Sequence, residues 1–128
     1  MKNKNSLNEY KRSKILTAAP PELTLISYDG CIAFCGMAHD AILEKNYEKA
    51  NLFIQKAEHI ILDLQSNLNN DIPISKDFHI IYDYAMDKLI DANIHKDVEI
   101  LDEAIEHIRD LRNIWVQIME QQKGRRVV

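Results

Sequence analysis

The chain has little of what builds turn-rich or cross-linked folds. Its 128 residues include three Gly, three Pro, two Cys, one Trp, five Tyr and three Phe. So few glycines and prolines argue against a sandwich of short strands joined by tight turns. Three glycines also leave little material for a phosphate-cradling loop. The two cysteines, Cys31 and Cys35, stand four residues apart on one predicted helix. They form no disulfide framework, which points to a reducing, cytoplasmic setting. No apolar run approaches the roughly 20 residues that cross a bilayer. The amino-terminal stretch is polar and charged, without the apolar centre of a signal peptide. A Gly-x-Ser-x-Gly elbow, Walker A loop, dinucleotide fingerprint and zinc-ribbon spacing are all missing. No catalytic residue is therefore assigned, no cofactor is expected, and an enzyme is not expected.

Basic residues are scarce through the middle of the chain. Residues 15–122 hold eight Lys/Arg against 19 Asp/Glu, a net −11, whereas the whole chain carries −4. The surplus positive charge sits at the ends: Lys2, Lys4, Lys11, Arg12 and Lys14 on one side, Lys123, Arg125 and Arg126 on the other. Basic ends attract nucleic acid by releasing counterions. Neither end interleaves aromatics, however, and no recognition motif accompanies the charge. Nucleic acid is not an expected partner; the ends read as tails, one of which folds back on the acidic body.

What is present is helical. Pro20-Pro21, Asn46, the stretch Asn67 to Pro73, and Asn93 to Lys96 divide the chain into four segments joined by short links. Long helices with short links must run antiparallel to their neighbours. The fold class expected is all-α, an antiparallel up-down four-helix bundle. Residues 1–16 form a mobile or short helical N-terminal segment or cap, 17–123 the bundle and 124–128 a tail. Pro20 and Pro21 suit an opening turn, whose first amide donors have no helical partner. Asn46, Ser75 and Asp97 are candidate N-caps for the later helices, and Gly124 is a candidate stop.

Apolar residues recur in steps of three and four. The second helix offers Ala50, Ile54, Ala57, Ile61, Leu64 and Leu68; the third Phe78, Ile81, Ala85, Leu89 and Ala92; the fourth Val98, Leu101, Ile105, Ile108, Leu111, Trp115 and Ile118. The first helix is apolar nearly all round. One stripe, Leu23, Ile26, Gly30, Phe34, Met37 and Ala41, is expected to face the core. A second runs through Leu25, Ile32, Cys35 and Ile42, with Tyr28 beside it. Sister helices cover only one side, so the second stripe needs another cover. The N-terminal segment, a second copy or a partner would each serve.

Helix bundles also house metals. A di-metal carboxylate site needs Glu-x-x-His on two helices. The residues three before the five histidines are Gly36, Lys56, Lys76, Ala92 and Ala104, none acidic. Cys31, Cys35 and His39 share one broad face and could hold a soft metal; the commoner use of such cysteines is as small core residues. Asp83, Asp87 and Asp91 read as a wet face of the third helix.

At the entry to the first helix, Thr17-Ala18-Ala19-Pro20-Pro21-Glu22-Leu23-Thr24-Leu25-Ile26-Ser27-Tyr28-Asp29-Gly30 resembles the Thr-Ala-Ser-Pro-x-x-Leu-x-x-Met-Leu-Tyr-Asp-Gly stretch of the FliS flagellar chaperone family. Tyr10 precedes it at the family's N-terminal Tyr position. Glu48-Lys49-Ala50, Tyr82-Asp83-Tyr84, Ala92-Asn93, Leu111-Arg112 and Trp115 follow in order. The resemblance spans about residues 8 to 120. Ala19 stands where the family has its capping serine, and Pro21 replaces a usual acidic residue.

The resemblance implies a cytoplasmic four-helix chaperone that holds the disordered C-terminal segment of flagellin. Holding it prevents premature polymerisation and assists delivery to the flagellar type III export apparatus. It also implies possible contacts with an export-gate membrane protein and an anti-sigma factor. Recognition would be helix-in-groove binding coupled to folding of the client. The partner-binding residues expected are Tyr10, Ile15, Leu16, Leu25, Tyr28, Asp29, Ile32 and Cys35. Tyr10, Ile15 and Leu16 would cover a groove when client is absent. Tyr28 serves equally as an interhelix packing residue. The alternative is a generic helical adaptor or homodimer whose extra stripe is an oligomer interface.

Overall fold

A computed structural model describes the backbone of residues 16–127 and the side chains of 16–120. Tyr10 and Ile15 lie outside the described residues. Four helices are present among them: α1 (Pro21–Leu43), α2 (Tyr47–Ser66), α3 (Ser75–His95) and α4 (Val98–Val127). Each packs on two neighbours, α1 on α2 and α4, α3 on α2 and α4, closing an antiparallel four-helix bundle. The expected fold class is what the chain adopts.

Local signals explain most helix ends. Pro20 occupies the N-cap position of α1 and Pro21 its first turn, with Glu22 beside the positive helix end. The Asn46 side chain accepts from the Lys49 amide at 3.2 Å and caps α2. Asp97 Oδ1 accepts from the amides of Glu99 (2.8 Å) and Ile100 (3.3 Å) and caps α4. Ser75 does not cap α3. It is the first helical residue, buried, and its hydroxyl has no partner. Gly124 does not stop α4, whose backbone stays helical to Val127. Thr17 Oγ1 accepts from the Ala19 amide in the turn before α1, four residues short of the helix.

The core follows the expected stripes on three helices. Ala50, Ile54, Ala57, Ile61 and Leu64 of α2 are buried, as are Phe78, Ala85, Leu89 and Ala92 of α3 and Leu101, Ile105, Ile108, Leu111 and Trp115 of α4. On α1 the expectation fails. The buried line is Thr24, Tyr28, Cys31, Cys35, Ala38 and Ile42, joined by Ala41. Leu23, Ile26 and Met37, expected inside, are 53%, 63% and 46% exposed. Cys31, Cys35, Ala38 and Ala41 on the inward side are small, and that lets α1 lie close on α2: the Cys31 thiol reaches the Ala57 carbonyl oxygen at 3.6 Å.

The end of the bundle where α1 and α3 begin is closed by the chain leading into α1. Ala18 donates its amide to the Asn67 carbonyl at 2.9 Å, and Asn69 donates to the Leu16 carbonyl at 2.8 Å. These bonds pair Thr17 with Leu68 as an isolated antiparallel bridge. They seat the Leu16 side chain in the core, 1% exposed. Trp115 closes the same end by donating Nε1–H to the Pro21 carbonyl at 2.9 Å.

Candidate docking surface

The outward stripe of α1 meets a matching stripe of α2. Phe34 stacks on Phe53 with ring centroids 6.0 Å apart. A Cβ placed on Gly30 would sit 3.7 Å from Ile60 Cδ1, so the two helices touch there in ordinary van der Waals contact. Phe34, Phe53 and Ile60 are half-buried against the core, while Leu23, Ile26 and Met37 stand beyond them in solvent. The result is an apolar seam along the α1–α2 face, which no other described element covers. Exposed apolar residues grouped in this way make the face a candidate docking surface.

Two cations frame the seam. Lys56 Nζ lies 5.5 Å from the Phe34 ring centroid and 5.8 Å from that of Phe53, and Lys49 Nζ lies 5.9 Å from Phe53. Cations over ring faces are held by the ring quadrupole.

A second groove runs between α2 and α3, about 490 Å³, lined by Gln55, Glu58, His59, Leu62, Met86 and Ile90. Burial among these apolar neighbours raises the Glu58 carboxyl above its usual range, His59 opposing in part. The groove is bounded by hydrogen bonds across the helix pair. Gln65 donates to Asp83 at 2.7 Å near one end, and Asn93 donates to Asn51 at 2.7 Å near the other. A third cleft of about 350 Å³, between α1 and α4, is lined by Asp29, Ile32, Arg109, Arg112 and Asn113.

The expected partner-binding residues divide by depth. Tyr28 (1% exposed), Cys35 (0%) and Leu16 lie in the core and do not form surface. Tyr28 meets Tyr82 through their hydroxyls, and Cys35 packs beside Cys31. Leu25 and Ile32 are half-buried and packed against the core. Asp29 is exposed and pairs with Arg112 at 2.6 Å across the α1–α4 cleft. The residues that sequence reasoning left out of the site are Leu23, Ile26, Phe34 and Met37 of α1, with Phe53 and Ile60 of α2. The four α1 residues stood on a stripe at helical spacing that was assigned inward, and Phe53 and Ile60 fall outside the core stripe expected of α2.

Both cysteines are free and buried, as small core residues. His39 faces Asp102 of α4 at 3.5 Å. Of the three aspartates expected on a wet face of α3, Asp83 and Asp87 are exposed and Asp91 is half-buried, facing His95 at 3.2 Å. No helix among the described residues is long and apolar enough to cross a membrane.

The family model described as flagellar protein FliS matches residues 3–122. The chain belongs to the FliS family. It is 34% identical over 119 residues to the flagellar secretion chaperone FliS of Bacillus subtilis (strain 168), covering 93% of this chain and 90% of that one. It is 28% identical over 121 residues to the flagellar secretion chaperone FliS of Vibrio cholerae serotype O1 (strain ATCC 39315 / El Tor Inaba N16961), covering 90% and 89%. Both matches span nearly the full length of this chain and of the relative. The Tyr28-Asp29-Gly30 motif is placed accordingly on α1: Tyr28 inward, Asp29 toward α4 and Gly30 against α2.

Proposed function

We propose that this chain is a cytoplasmic, non-enzymatic chaperone for flagellin. It would hold the disordered C-terminal segment of the client, keep it from polymerising and assist its delivery to the flagellar type III export apparatus. The observation that carries this reading is the uncovered apolar seam on a chain of this family: Leu23, Ile26, Phe34 and Met37 on α1 beside Phe53 and Ile60 on α2. A disordered client loses conformational entropy as it becomes helical, and only a broad apolar surface offsets that loss. Leu25 and Ile32 extend the contact toward α4, where Asp29 offers an acceptor. Tyr28, Cys35 and Leu16 act from beneath, holding the helices that present the surface. Tyr10 and Ile15 would cover the seam in the absence of client.

Calorimetric titration of the folded protein with a flagellin C-terminal peptide tests the reading. Binding at micromolar affinity or tighter is expected, about −8 kcal/mol or more. Ile26→Asp and Met37→Asp, both at exposed positions, should each weaken it at least about tenfold, ~1.4 kcal/mol, with an unchanged melting temperature. No heat with folded wild-type protein at concentrations on the order of ten times that dissociation constant sinks the proposal.

A further inference from the structure

Of the eight Lys/Arg in the acidic stretch 15–122, two lie on the apolar seam. Lys49 and Lys56 recur at the spacing of α2 that also places Phe53 and Ile60 on one side, and their ammonium groups sit 5.5 to 5.9 Å from the Phe34 and Phe53 centroids. Lys88 and Arg112 of the same stretch are consumed by carboxylates, Glu103 at 2.8 Å and Asp29 at 2.6 Å. Neither Lys49 nor Lys56 has a carboxylate within 4.0 Å among the described residues. Both are exposed. The seam is thus an apolar surface with unneutralised positive charge on a body that is otherwise strongly negative. The acid that follows on the same side of α2 is Asp63, one turn beyond Ile60 and more than a turn from Lys56.

We infer that the α1–α2 seam takes an amphipathic helix of another protein whose apolar face is flanked by carboxylates, set against Lys49 and Lys56. The inference rests on the docking reading above and adds the chemistry of what docks. The aromatic faces beneath the ammonium groups hold them in place without neutralising them. A partner carboxylate therefore meets positioned cations rather than freely moving chains. A partner helix with basic flanks would face the same two cations and be repelled.

The test uses two synthetic amphipathic peptides of ~18 residues, about five helical turns. They share one Leu/Phe/Met face and differ only in carrying Glu or Lys beside it. Fluorescence anisotropy with the full chain should show the Glu peptide binding about tenfold more tightly. That preference should shrink toward unity near 1 M salt, where screening acts within about 3 Å. The double variant Lys49→Glu/Lys56→Glu should reverse the preference while keeping its helical content and melting temperature. Equal binding of the two peptides, or a preference that the double variant leaves unchanged, overturns the inference. If neither peptide binds while the flagellin segment does, the inference falls and the chaperone reading stands; if nothing binds, both fall. A dimer of the wild-type chain that the double variant dissolves would make a second copy the occupant and overturn it as well.

Discussion

The hydroxyls of Tyr28 on α1 and Tyr82 on α3 meet at 2.5 Å across the centre of the bundle. Their rings lie 6.5 Å apart and nearly parallel, and both side chains are buried. Among the described residues no other side chain shares this bond, so each hydroxyl is the partner that the other depends on. Tyr28→Phe alone should leave the Tyr82 hydroxyl buried and unpaired, at a cost of about 1–3 kcal/mol. Replacing both by Phe should cost much less than the sum of the two single changes. Urea unfolding of the four proteins of the cycle measures the coupling; additive costs would show that the bond contributes nothing.

The same pair makes the bundle sensitive to alkali. Burial pushes Tyr82 up from its ordinary 10 to about 12, partly offset by the Tyr28 bond. Burial and the neighbouring Tyr82 push Tyr28 up further. The fold favours the neutral phenols, so their contribution is complete below pH 10 and is lost as pH rises from 10 through 12. Stability should fall over that window by up to about 1.4 kcal/mol per pH unit for each of the two groups. Circular dichroism against pH follows the loss, and the double Phe variant should show a shallower decline. An identical decline in that variant would place the sensitivity elsewhere.

Ser75 distinguishes a cap from a core residue. Its hydroxyl is buried without a partner at the first position of α3. Ser75→Ala removes an unpaired polar group and should leave stability unchanged or raise it by up to about 1 kcal/mol. A true N-cap would lose about 1 kcal/mol on the same change. Thermal melting gives the sign directly.

Lys45 stands just past α1 with φ 62°, in the left-handed region. The Asn46 amide donates back to the Ala41 carbonyl at 2.8 Å and Lys45 to Ile42 at 2.9 Å, the pairing of a Schellman ending. Only glycine takes that conformation without cost. Lys45 makes no side-chain bond among the described residues, so Lys45→Gly should stabilise by about 1 kcal/mol. Lys96 has φ 51° after α3, but its ammonium donates to the Asn93 carbonyl at 2.6 Å and side chain at 2.8 Å. Lys96→Gly should gain less, because it breaks those bonds. Melting curves of the two variants side by side check the ranking.

Much of this protein could be read before any coordinates. Four helices, their antiparallel order and the inward stripes of α2, α3 and α4 follow from apolar residues at steps of three and four between short polar links. The caps at Asn46 and Asp97 follow from side chains that must satisfy free amides at helix starts. Ser75 misled because Pro73 and Ile74 carry the backbone into the helix one residue earlier, where the serine turns inward.

The rotation of α1 was decided only by packing. Apolar nearly all round, that helix has no periodicity strong enough to say which side faces in. Leu23, Ile26 and Met37 are more hydrophobic than Thr24, Cys31, Cys35 and Ala38, so pattern alone favours burying them. The bundle buries the smaller set, because α1 and α2 approach too closely at Cys31 and Ala57 for larger side chains to fit between them. The large residues are left outside, beside Phe34, Phe53 and two lysines from another helix. That surface is a product of two helices meeting, and neither helix contains it alone.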